Sequence, residues 1–165
     1  MSLSHEIFEY IEKNEINEVK YHLDRGIDVN IRSHDSYTML HVAVINKQTD
    51  LVKLLIEHGT DVNAKNSIGN TALIYASSAD IITIPKILLD NGADPNKKNV
   101  VGLTALHYAV YRKCITVAKL LIDSGAEVNA KTNRNLTPLS WLNDSVTITK
   151  LLLEHGGKFN GNFDI

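Results

Sequence analysis

Seven histidines and a single cysteine are the side chains of this sequence best suited to chemistry, and their spacing decides which chemistry is open to them. A zinc site or a metalloprotease helix needs His or Cys ligands a few residues apart, and neither H-E-x-x-H nor a Cys/His spacing of that kind occurs. His41 and His107 each stand three residues after a threonine in a T-x-L-H-x-A segment. One turn into a helix, an imidazole there can reach back to tie the preceding loop. His58 and His155 each precede a glycine at the end of an apolar run, where a cation meets the negative end of a helix. His5, His22 and His34 are scattered. Cys114 follows Arg112 and Lys113, whose charges could lower the thiol's pKa and make it reactive; the plainer alternative is an ordinary thiol. There is no Gly-rich phosphate loop and no G-x-S-x-G elbow. The sequence therefore offers no catalytic, metal-binding or cofactor-binding set, and an enzyme or redox-sensitive protein using Cys114 or a histidine pair is the alternative to a non-enzymatic reading.

The framework carrying these residues is a repeat. The T-x-L-H-x-A core starts at Thr38, Thr71, Thr104 and Thr137, each 33 residues from the last, and glycines recur with the same step at Gly26, Gly59, Gly92 and Gly125. Thr104 stands where a helix should start, so that its hydroxyl can take one of the unpaired N–H groups of the first turn. Pro138, after Thr137, costs no backbone bond there. Val117, Leu120 and Leu121 at i, i+3 and i+4 make the apolar stripe of a second helix. Gly125 supplies the left-handed conformation that stops it, and Gly102 allows a sharp turn between the extended arms joining one helix pair to the next. A lone pair has nowhere to bury its stripe and needs neighbours.

The units depart from the pattern in readable ways. Residues 4–30 lack the threonine motif but keep helical spacing at Ile7, Phe8, Tyr10 and Ile11 with polar residues on the other face, as a terminal unit exposed to water requires. Ser36 replaces the turn glycine, which predicts backbone strain unless the turn relaxes. Ile74 stands in the histidine position, so the loop tie should be missing there. Pro85 predicts a late start for the second helix of the third unit, near Thr83, after a looser link over Ser77–Asp80. The fifth unit is two residues short near Asn143-Asp144, and Lys158-Phe159-Asn160 echoes the Asp-Val-Asn that follows the earlier glycines.

With 165 residues and 44% hydrophobic content, the chain can bury a sizeable core. Its 17 basic and 19 acidic residues are nearly balanced, which argues against a nucleic-acid footprint. No run has the apolar length of a membrane span, and no basic-then-apolar leader is visible. Without that leader the sequons Asn135-Leu136-Thr137 and Asn143-Asp144-Ser145 carry no weight. A lone cysteine suits a reducing compartment. With no leader, that makes the cytoplasm the expected place; lysine outnumbers arginine 13 to 4, the usual mark of an AT-rich genome, which points to an intracellular bacterium, a virus or a protist as source and so includes the cytosol of a host cell entered by an effector.

Taken together, Thr104-Ala105-Leu106-His107-Tyr108-Ala109, Leu120-Leu121-Ile122-Asp123-Ser124-Gly125-Ala126-Glu127-Val128-Asn129 and their copies make the chain resemble an ankyrin-repeat protein over its whole length. The resemblance implies an all-α solenoid of stacked helix-turn-helix units with short projecting hairpin fingers, as one array of five: 1–31, 32–64, 65–97, 98–130 and 131–165. It also implies a scaffold without chemistry, binding a protein partner through the concave inner-helix face and the finger tips. Inhibitor and adaptor are both compatible, masking or tethering being the simpler. No nucleic-acid, membrane or cofactor partner is expected, and the chain is expected to be a monomer. In register, Val42, Tyr75, Tyr108 and Trp141 share one inner-helix position; Tyr111 lies a turn beyond Tyr108 with Arg112 beside it, and Val100, Val101 and Leu103 form an apolar finger tip. Aromatics and arginine anchor interfaces most often. The expected partner-binding set is Tyr75, Val100, Val101, Leu103, Tyr108, Tyr111, Arg112 and Trp141, with packing between inner helices as the competing role for the three residues of the shared register.

Overall fold

The computed structural model describes residues 3–142 and 145–159. Helices come in pairs: α1 (Leu3–Glu12) with α2 (Ile16–Asp24), α3 (Met39–Ile45) with α4 (Thr49–Glu57), α5 (Ala72–Ala76) with α6 (Thr83–Asp90), and α7 (Ala105–Tyr111) with α8 (Ile115–Asp123). A 3-10 turn, Pro138–Trp141, precedes α9 (Val146–Glu154). Between pairs the chain runs out and back as a narrow finger; among the described residues its β character is limited to one bridge, Arg32 with Thr38. The fold is all-α.

The inner helices start where the threonines stand, and the caps explain why. The Thr38 and Thr104 hydroxyls take the N3 N–H, while the N3 histidine takes the threonine's own N–H, a capping box with imidazole in place of the usual carboxylate. Outer helices end on left-handed glycines, Gly59 at φ +79° and Gly125 at φ +89° among them. Each outer helix lays its stripe (Leu51, Val52 and Leu55; Val117, Ala118 and Leu121) against its own inner helix and its neighbours, so one core runs the length of the stack.

Three departures have physical causes. The fifth unit has a 3-10 turn, not the expected inner α-helix. With Pro138 at its start and two residues fewer before α9, the segment closes with i→i+3 bonds, Ser140 N–H to Thr137 O at 3.0 Å, and leaves helical geometry at Leu142 (φ −77°, ψ 126°). The deletion site Asn143-Asp144 and its sequon lie outside the described residues, as does Asn160. The turn at Ser36 does not relax: it holds φ +60°, and Asn135 holds φ +63° at the same repeat position in the last finger. In the third unit α6 does begin at Thr83, with Pro85 buried in its first turn. Ile74 is buried at 1% exposure, and Leu103 O, which a histidine there would have met, keeps the finger bond from Asn99 N–H at 3.0 Å that Asn70 O and Leu136 O likewise accept from Asn66 and Thr132. The tie is absent, and apolar packing fills its place.

Candidate binding surface

Successive units are joined by side chains that reach for main-chain atoms, and these rungs set where the exposed residues stand. Asn30, Asn63, Asn96 and Asn129 each accept a backbone N–H of the next unit through Oδ1: Asp61 at 2.8 Å, Asp94 at 2.8 Å, Glu127 at 2.7 Å and Lys158 at 2.7 Å. The last three also donate through Nδ2 to the glycine carbonyl that ends the next outer helix, Gly92, Gly125 or Gly156. Asp28, Asp61 and Asp94 hold the first three asparagines through their backbone N–H groups. Along another edge Arg32, Lys65 and Lys98 donate to the carbonyls of Lys65, Lys98 and Lys131 at 2.7, 2.7 and 3.0 Å. The Asp-Val-Asn segments and the 33-residue step were the visible signal for the asparagine rungs; Arg32, Lys65, Lys98 and Lys131 recur with the same step two residues after those asparagines, a signal the sequence reading did not use.

The motif histidines add a third link. His41 Nδ1 faces the Thr38 N–H at 3.2 Å and Nε2 faces Asn70 O at 3.0 Å; His107 repeats this with Thr104 and with Leu136 O, at 3.2 and 3.3 Å. A backbone N–H can only donate and a carbonyl only accept, so the ring is neutral with its proton on Nε2. The imidazole thus ties its own cap and, beyond the expected backward tie, the following unit. Burial pushes both rings below the ordinary histidine value, His107 to about 4. His58 is the opposite case: Nδ1 meets Leu54 O and Nε2 the Asp24 carboxylate at 3.1 Å, two acceptors that raise its pKa.

Cys114 is buried, and the shift is opposite to the activation that its neighbouring cations could have caused. Burial pushes the thiol up, the Asp80 charge adds to this, and Arg112 offsets only part of it. Among the described residues no three His, Cys, Asp or Glu side chains converge as a metal site would need.

The aromatic residues of the shared register are half-buried. Tyr75 hydroxyl pairs with Tyr37 hydroxyl at 2.9 Å, a bond that together with burial pushes the Tyr37 phenol up to about 12, and it accepts Asn66 Nδ2 at 2.9 Å. Tyr108 hydroxyl lies 3.5 Å from Asn99 Nδ2. Both rings brace an inner helix against its own finger. Trp141 sets its ring edge-on to Tyr111 at 5.9 Å, with a buried Nε1 that has no hydrogen-bond partner.

The remaining residues fall into two clusters at opposite ends of α7. At its C-terminal end Tyr111 (56% exposed), Arg112, Lys113 and Trp141 line a cleft of about 340 Å³, and Arg112 Nε is held by Ser78 O at 3.3 Å. At the finger Val100 (61%) and Val101 (51%) are exposed and Leu103 is half-buried. Val100 N–H donates to Ile68 O at 3.1 Å, which sets exposed Ile68 beside them. Ile68 escaped the sequence reading, although it occupies the repeat position of Val101, and Lys113 was read only as a neighbour of Cys114. The clusters are separated by the seven residues of α7, about 10 Å of helix.

Helical hairpins stacked at a constant step, with fingers on one side and main-chain rungs between units, define a repeat solenoid whose features for contact are surfaces and shallow clefts. The family profile described as ankyrin repeats (3 copies) matches residues 7–99, 69–132 and 97–163. The chain belongs to the ankyrin-repeat family, whose members are in general protein-interaction modules without catalysis. Comparison with curated proteins finds no match. No helix among the described residues is long and apolar enough to cross a membrane.

Proposed function

We propose that this chain is a non-catalytic, monomeric binding module that holds one protein partner on the concave side of its third to fifth units, as an inhibitor or an adaptor. The observation that carries the reading is the cleft of Tyr111, Arg112, Lys113 and Trp141, where exposed aromatic surface and cations converge on a scaffold stiffened by the rungs around it. The finger-tip residues Val100, Val101 and Ile68 extend the contact along the other end of α7. Tyr75, Tyr108 and Leu103 contribute their exposed edges while keeping the helix and finger together. A buried thiol with a raised pKa favours this reading over an enzymatic one and is compatible with a cytoplasmic location, the cytosol of a host cell included.

The test is affinity capture of partners from the source cell, followed by titration of the captured protein against Tyr111→Ala/Val101→Ala. Strong anchors cost about 2 kcal/mol or more on truncation, so the double variant should bind at least about thirtyfold more weakly. Full affinity in a double variant with an unchanged melting temperature removes the site.

A further inference from the structure

The third unit turns from inner to outer helix unlike its neighbours, and the difference opens a second surface. In the first, second and fourth units the turn contains a left-handed residue, Asn14, Lys47 or Lys113, at φ +57° to +58°. The next N–H then closes onto the inner helix: Glu15 to Tyr10 O, Gln48 to Ala43 O and Cys114 to Ala109 O, at 2.8 to 2.9 Å. Asp80 holds the equivalent place in the third unit, and among the described residues neither the left-handed backbone nor that closing bond occurs there. Its carboxylate faces across to the start of α8 instead, accepting Thr116 N–H at 3.0 Å, the Thr116 hydroxyl and Val117 N–H at 3.3 Å. The link this leaves borders a groove of about 280 Å³ between the second and third units.

Val44, Ile84 and Pro85 form the buried floor of the groove; Ile45 (44% exposed), Ile81 (52%) and half-buried Tyr75 form its sides. Lys47 stands on its rim. Ser78, another lining residue, accepts the Arg112 Nε–H at its carbonyl, which brings Arg112 to the groove's edge. Neither Lys47 nor Arg112 forms an ion pair among the described residues. Of the carboxylates nearby, Asp80 is engaged at the α8 terminus and Asp50 faces Lys53 at 3.8 Å on the outer helix. The volume lies below the range of about 300–1,000 Å³ typical of pockets that enclose a small molecule, and no buried unpaired polar group points in to orient one. A short apolar insert flanked by negative charge fits both the floor and the rim.

We propose that this groove is a second docking site, adjoining the Tyr111 cleft through Arg112, for a peptide segment of a partner protein that carries aliphatic side chains beside acidic ones. Apolar side chains occupy the space between Ile45 and Ile81, and the flanking carboxylates face Lys47 and Arg112.

Fluorescence anisotropy on the full chain tests this with a labelled peptide of alternating leucine and glutamate and a matched leucine–lysine peptide. The acidic peptide should bind saturably and the basic one at least about tenfold more weakly, a difference that shrinks as salt rises. Ile81→Asp and Lys47→Glu should each weaken the acidic peptide by about tenfold, whereas Lys119→Glu, the same charge change on exposed α8, should leave binding unaltered. All three positions are exposed, so the variants remain folded. Equal binding of the two peptides overturns the proposal, as does indifference to Ile81→Asp and Lys47→Glu. Vesicles of anionic lipid that bind the wild type and lose binding in the same two variants also overturn it, in favour of a membrane surface. Because the readout uses neither Tyr111 nor Val101, it stands or falls apart from the concave site.

Discussion

Acid should loosen the stack through its motif histidines, and His107 gives the measurable case. The folded protein holds this ring neutral between an N–H donor and a carbonyl acceptor, with a pKa of about 4 against an ordinary 6.5. Below pH 6.5 the unfolded chain takes up a proton that the folded chain refuses, so stability is complete above that pH and falls as pH drops toward 4. At 1.36 kcal/mol per unit the full loss is about 3 kcal/mol, of which about 2 kcal/mol is gone by pH 5. His41 shifts in the same direction, whereas the raised pKa of His58 acts oppositely, adding stability below 6.5 that fades as pH rises through its folded value. A wild-type pH profile therefore mixes signs, and a variant is needed to isolate one ring. His107→Ile adopts the third unit's own choice at Ile74: it keeps an apolar side chain in the site and deletes the titration. Urea unfolding at pH 7 and pH 5 should show the variant less stable at pH 7 by about 1–3 kcal/mol, the cost of an unpaired Thr104 N–H and a lost bond to Leu136 O. At pH 5 the gap should shrink by about 2 kcal/mol. A gap that is the same at both values refutes the assignment of a neutral, burial-depressed ring.

Three further substitutions probe the fingers and the rungs. A Cβ on Gly102 would lie 2.7 Å from Asn133 N at φ +83°, so Gly102→Ala should lower stability by about 1–3 kcal/mol in thermal melts. Asn135→Gly, at the same repeat position, should change it by under about 1 kcal/mol, because asparagine tolerates the left-handed region. Asn96→Ala removes the bonds to Glu127 N–H and Gly125 O and should cost about 1–3 kcal/mol, with faster hydrogen exchange at the Glu127 amide as its local signature.

What could be read from the sequence depended on whether a feature repeats. Thr38, Thr104 and the terminal glycines recur with an unvarying step, and each has one backbone role, so the helix starts and stops were legible. The late start of α6 was legible because Pro85 restricts its own surroundings. The 3-10 turn in the fifth unit was not, since Pro138 alone is compatible with an α-helical first turn and the shortfall downstream decides the geometry. Of the eight surface residues, type indicated that Tyr75, Tyr108 and Tyr111 could anchor a partner. Type could not show that the first two hydroxyls meet asparagines nine residues earlier while Tyr111 projects. Cys114 shows the same limit: two cations precede it in sequence, but burial and the Asp80 charge, both products of stacking, set its chemistry.

The asparagine and lysine rungs have one property in common that bears on how such a chain can change over time. Each recognises a peptide N–H or C=O of the adjoining unit and is indifferent to the side chain attached there: Asn30, Asn63, Asn96 and Asn129 make the same bond to aspartate, aspartate, glutamate and lysine. Adhesion between modules is thereby uncoupled from their outward lettering. A whole unit can be duplicated, excised or exchanged, and the couplings at the new junction re-form with whichever neighbour arrives, provided the spacing is kept. The same uncoupling leaves positions such as Val100, Val101 and Tyr111 free to drift toward new contacts without loosening the seam beneath them.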